Sequence, residues 1–148
     1  MYPAGFTLLS QSSIEAAEEV TISSNAVTIG DLMELDVGAV AWTDADASTE
    51  HWQLKGVAIE TVTTAATVIK LQMVTPGQIW VAETANNSAA VDNGDRMLLS
   101  DANTVNNTGT DNTSEEACFI QLRPIGAAAE KRVAGIIVFG TGVNPDAA

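Results

Sequence analysis

Cations are scarce in this chain: six Lys and Arg stand against nineteen Asp and Glu, a formal net charge of −13. Duplex binding needs clustered cations that displace counterions from phosphates, so nucleic acid is not an expected partner. An anionic membrane leaflet is disfavoured for the same reason. The single cysteine, Cys118, permits no intrachain disulfide, and its place in the run Cys118-Phe119-Ile120 makes it a buried small hydrophobe. The single histidine, His51, cannot form a His cluster for zinc or iron. No run reaches the roughly 18 apolar residues of a membrane helix. The N-terminal residues lack the basic-then-apolar pattern of a signal peptide. Aromatics are sparse too, with three Trp, three Phe and one Tyr, so the core is expected from small branched side chains that suit a pleated sheet.

Catalytic groups are equally thin. No G-x-S-x-G elbow, P-loop or G-x-G-x-x-G occurs. A Cys118–His51 pair is conceivable, but a mid-strand apolar setting does not activate a thiolate. Asp44, Asp46 and Ser48 fall at the first, third and fifth places of a calcium loop, yet the sixth is Thr49 instead of Gly and the twelfth is Lys55 instead of Glu. That segment, like the looser group Asp92, Asp95 and Asp101, reads as a solvated acidic loop. No enzyme activity, cofactor or metal is expected.

What is present is a period of two. Val20 and Ile22 alternate with Thr21 and Ser23, and Val27 and Ile29 flank Thr28. Leu32–Val37, Ala39–Trp42, Leu54–Val62 (with Gly56 marking a bulge or close approach), Thr67–Val74, Gln78–Ala82, Arg96–Leu99, Ala117–Leu122 and Val133–Phe139 follow as short strands. Pro76-Gly77 and Asn93-Gly94 mark turns. Residues 100–116 are rich in Asp, Asn, Thr, Ser and Gly and predict a long exposed loop or a weak, solvent-facing hairpin. Ile14–Glu19 offers at most one helical turn, with Ser12 or Ser13 as its N-cap. The expected fold is therefore all-β: a single small β-barrel or β-sandwich of short antiparallel strands with an extended N-terminal arm. The expected division is an arm over 1–18, a β domain over 19–140 and a frayed tail over 141–148.

The segments VTIGDLMELDVGAVAWT, PGQIWVAETANN and NGDRMLLSDANTV resemble the small β-barrel decoration proteins that cement tailed-bacteriophage capsids. Their Gly-Asp strand corresponds here to Gly30-Asp31-Leu32-Met33-Glu34-Leu35. The stretch 100–116 departs from that pattern. The resemblance implies a homotrimer on the outer capsid surface, assembled in the host cytoplasm, with the major capsid protein as partner. The arm would cross to a neighbour and add a strand to its sheet.

Candidate partner-binding residues are then Tyr2, Phe6, Leu8 and Leu9 on the arm, Trp42 and Trp52 flanking the acidic loop, and Arg96 and Arg123. Arg123, fixed between a strand and Pro124, suits a carboxylate anchor across a subunit interface. For the tryptophans the ordinary role is core packing, and for the arginines an intramolecular pair. Two other classes fit the composition. A phage fibre, spike or other virion-surface adhesin would present the 100–116 loop. A carbohydrate-binding β-sandwich module would expose coplanar aromatics.

Overall fold

The computed structural model describes residues 4–10, 17–23, 25–36, 41–108, 112 and 114–138. Eleven strands cross them: β1 (Thr7–Ser10), β2 (Ala17–Thr21), β3 (Leu32–Asp36), β4 (Ala41–Asp44), β5 (Leu54–Ala58), β6 (Val68–Met73), β7 (Ile79–Thr84), β8 (Arg96–Asp101), β9 (Thr104–Asn106), β10 (Phe119–Ile125) and β11 (Arg132–Ile137). The helical content of the described residues is three single 3-10 turns, at His51–Gln53, Ala90–Asp92 and Ala128–Glu130. None is long and apolar enough to cross a membrane.

The strands form two sheets, in the orders β1-β7-β11-β10-β8-β9 and β2-β6-β5-β3-β4. In the first sheet β9 also pairs with β7, in parallel, through Glu83–Thr104 and Thr84–Val105, so β7, β11, β10, β8 and β9 close into a ring. Such closure removes sheet edges and the mispairing they invite. In the second, a parallel bridge between Ile22 and Trp42 brings the outer strands β2 and β4 together. The chain therefore starts on the first sheet with β1, builds the second from β2 to β6, and returns to complete the first.

The packing explains the apolar pattern. One core gathers Phe6, Trp80, Met97, Leu99, Val105, Cys118, Phe119, Val133 and Ile137, with Leu32, Leu54 and Val57 reaching it from the second sheet. The other core holds Ile22, Val27, Met33, Ala58, Ile69 and Leu71. Strands β3 and β5 are thus buried on both faces, Leu32 and Val57 entering one core and Met33 and Ala58 the other. A bulge keeps this sorting in step. Met33 pairs with Gly56 and Glu34 with Leu54, leaving Lys55 as the extra residue, so Leu54 and Val57 share a face although three apart. Gly56 fits the expectation of a bulge and close approach, because a Cβ there would lie 2.9 Å from the Gln72 carbonyl oxygen.

Several expectations shift. Part of the N-terminal arm is strand: β1 pairs with the chain's own β7 (Thr7 with Val81, Leu8 with Trp80), and β2 pairs with β6. The apolar residues Phe6 and Leu8 drive this, since both pack into or against the first core. The helical turn expected over 14–19 is strand from Ala17 onward, and its earlier part, with Ser12 and Ser13, lies outside the described residues, as do Tyr2 and the tail 141–148. Val27 and Ile29 do not share a strand face. A turn at Ile29-Gly30, with Gly30 at φ +94°, buries Val27 and leaves Ile29 55% exposed. The 100–116 segment begins as a tight hairpin, β8 to β9, and it is not merely solvent-facing: Val105 is fully buried in the first core.

Asp31 sits where the two sheets meet. Its carboxylate accepts hydrogen bonds from the Thr28 backbone N–H at 2.8 Å and from Asn103 Nδ2 at 3.1 Å, and the adjacent Leu32 N–H donates to the Ala102 carbonyl at 2.6 Å. Burial pushes the Asp31 carboxyl above its ordinary value of 3.8, and the nearby charges of Asp44 and Asp101 add to the shift, against the two hydrogen bonds. The folded state therefore holds this proton to higher pH than the unfolded chain, and the group's contribution to stability falls as pH rises from 3.8 through the folded value. Asp31→Asn does not titrate there. Urea unfolding between about pH 3.5 and 6.5 should show wild type losing stability relative to Asp31→Asn as pH rises; a gap independent of pH would refute the assignment.

Candidate functional site

The polar residues that suggested chemistry are engaged locally. His51 Nδ1 lies 2.8 Å from the Glu115 carbonyl oxygen. Cys118 donates to the carbonyls of Thr49 (3.3 Å) and Glu116 (3.1 Å), and burial pushes its thiol up to about 12, so it is not a nucleophile at neutral pH. The two side chains form no dyad. In the acidic loop, Asp46 accepts from the Ser48 N–H at 2.7 Å and the Ser48 hydroxyl at 2.6 Å, which lowers its pKa, while the Asp46 N–H donates to Thr49 Oγ1. This is a self-capped turn. Asp44 is engaged separately, accepting from Asn25 Nδ2.

The aromatic candidates separate. Trp52 is buried and donates its indole N–H to Glu50. Trp42 is half-buried against the second core, with Lys55 Nζ 5.7 Å from its ring centroid. Neither arrangement gives the flat exposed platform a sugar ring needs. Phe6 is a core residue, its ring 6.0 Å from that of Phe119 and tilted by 60°.

A concave apolar surface lies beside β1. A groove of about 250 Å³ runs between β1 and strands β5 and β6 of the second sheet, lined by Phe6, Leu8, Ile29, Val57, Ile59 and Trp80, with Gln72 and Thr7 as its polar members. Its geometry follows from the glycines at its end. Gly5 and Gly30, at φ +79° and +94°, meet back to back, and a Cβ on Gly30 would stand 2.7 Å from the Ala4 carbonyl oxygen. This contact lets the Phe6 N–H donate to the Gly30 carbonyl and the Gly30 N–H to Ala58, both at 2.9 Å, tying β1 to the second sheet. Among the described residues, no strand pairs with the second edge of β1. Of the sequence candidates this site takes Phe6 into its wall and Leu8 onto its rim. Leu9 is half-buried on β1 but is not part of the lining. Ile29 and Ile59, 55% and 41% exposed, were not anticipated. The signal was present in Gly30-Asp31, since a turn there reverses the side on which Ile29 emerges.

Arg96 and Arg123 lie away from the groove. Arg96 is half-buried on β8, opposite Ile120, and Arg123 is exposed on β10, opposite Ala134.

Gly30→Ala tests the groove's foundation. A left-handed φ costs a non-glycine residue roughly 1–2 kcal/mol, and the clash with Ala4 adds to it. The variant should unfold at lower urea and show faster amide exchange in Phe6–Leu9 than elsewhere in the first sheet; unchanged exchange there would remove the glycine contact as the anchor of β1. No protein-family model matches the chain, and a search of curated proteins returned no match.

Proposed function

We propose that this chain is a structural virion protein, a homotrimeric decoration protein that binds the outer surface of a tailed-phage capsid and clamps neighbouring major capsid subunits. The observation that carries the reading is the apolar groove beside the second edge of β1. An extended segment of a capsid subunit laid there gains main-chain hydrogen bonds from β1 and buries apolar side chains against Ile29 and Ile59. The likeness of Gly30–Leu35 to the Gly-Asp strand of decoration proteins supports the same reading. So does the net charge of −13, which suits a surface turned away from packaged nucleic acid. Three grooves in one trimer bind together, so each contact need only be weak.

The arm's part in this reading changes from the one its sequence suggests. Residues 7–10 lie in the chain's own sheet, so β1 acts as the receiving edge, and the capsid subunit supplies the added strand.

Cosedimentation with viral heads tests it. Wild type should pellet with heads. Covering the remaining surface of one isoleucine contributes about 1 kcal/mol, and a lysine ammonium buried in its place adds a desolvation cost. Ile59→Lys, at a solvent-exposed position outside the core, should therefore bind about tenfold or more weakly with its melting temperature little changed. Failure of wild type to pellet, or undiminished binding by Ile59→Lys, would sink the proposal.

A further inference from the structure

A second surface differs from the rest of the molecule in charge. Strands β8, β10 and β11 lie side by side in the closed ring, turning Met97, Phe119, Val133 and Ile137 inward. Their outer face carries Leu98, Ile120, Leu122 and Ile136. Ile120 stands directly opposite Ile136 on one side and Arg96 on the other, while Leu122 sits in the bulge between Gln121 and Arg123. Leu122 and Ile136 are 41% and 39% exposed. Of the nineteen acidic residues, Asp101 alone falls within these three strands, whereas Arg96, Arg123 and Arg132, half of the six cations, fall within them. Arg132 is paired with Glu83 at 3.4 Å. Arg123 is exposed and has no ion pair among the described residues. Asp92 and Asp95 border the face from the preceding turn, where the Asp95 carbonyl accepts from the Gln121 N–H.

We infer that this aliphatic, arginine-bearing face is where a second copy of the chain docks, with Arg123 receiving a carboxylate of the neighbour. The inference deepens the trimeric part of the reading above and rests on it. Its basis is charge complementarity. Two chains of net charge −13 repel through most approaches, so association needs a surface that is poor in acid and offers a cation. The β8–β10–β11 face meets both conditions, and the rest of an identical chain supplies carboxylates in abundance. A contact between a cation-bearing face on one copy and a different, acidic surface on the next is heterologous, and such contacts close into a ring when the rotation permits. Arginine among aliphatic side chains is also the composition found where interface energy concentrates.

Light scattering on the full chain gives the test. Wild type should have a mass near three times the 15.4 kDa of one chain. Arg123→Glu and Ile136→Lys should each raise the dissociation constant at least tenfold and shift the mass toward 15.4 kDa, with circular dichroism unchanged. Ile59→Lys, in the groove, should leave the mass of wild type intact. A monomeric wild type, or an undiminished oligomer in both face variants, would overturn the inference. Head binding separates this from the proposed function. A monomer that still pellets with heads defeats the inference and leaves capsid binding standing. An oligomer that depends on Arg123 but ignores heads supports the inference and defeats the capsid reading.

Discussion

Strands β3 and β5 send side chains into a core on each of their faces, and the rest of the fold answers to that constraint. Leu32 and Met33, adjacent in sequence, must enter different cores, as must Val57 and Ala58. A one-residue slip in the β3–β5 register would exchange the two sets and put each side chain into a space shaped for the other. The bulge at Lys55 matters for this reason: it resets the alternation so that Leu54 rejoins Val57 on the first core. Gly56 is demanded by the same crowding, with β6 too close for any side chain. Asp31 accepts its buried setting because it immediately precedes β3, where the Ala102-Asn103 turn of the first sheet has to be fixed to the second.

The chain order adds a second tie. Because β1 pairs with β7 while β2 to β6 build the other sheet, the N-terminal strand is held by a segment some seventy positions later. Such pairing forms only after large loops have closed. Once formed, it fixes the two sheets against each other and leaves the groove between β1 and β5 as a consequence of their junction. The groove is therefore pre-organised, and a partner strand entering it need not order β1 first.

Much of the β character was legible in the sequence, and the failures have identifiable causes. Cys118 reads as core because it sits in an apolar run, and it is buried. The Arg96–Leu99 and Val133–Phe139 runs read as strands through simple alternation and are β8 and, nearly, β11. Ile29 misled because alternation by itself does not register a turn, and Gly30 at positive φ turns the side chain outward. Val105 misled in the opposite direction. One valine in a polar stretch carries little periodic signal, yet the parallel pairing of β9 with β7 draws it into the core. Double burial of β3 and β5 was hidden for a related reason: Leu-Met and Val-Ala look like interruptions of a period-two pattern when both faces are apolar. The groove combines β1, the turn at Gly30 and β5–β6, residues distant in sequence, so no local pattern announces it.

The distribution of charge decides which surfaces remain for contact. Many of the carboxylates of the described residues sit on turns and on β2, where Glu18 and Glu19 are exposed on an outer strand of the second sheet. Charge at such positions discourages the edge-to-edge pairing that open sheets invite. The same placement leaves two acid-poor surfaces, the groove beside β1 and the outer face of β8, β10 and β11. They differ in kind. The groove is concave and bordered by a strand edge that no described residue pairs, so it suits an extended segment. The other is a sheet face with an exposed arginine, so it suits a folded, acidic surface. The two surfaces share no residue, so the self-association proposed for the second and the partner binding proposed for the first would not compete.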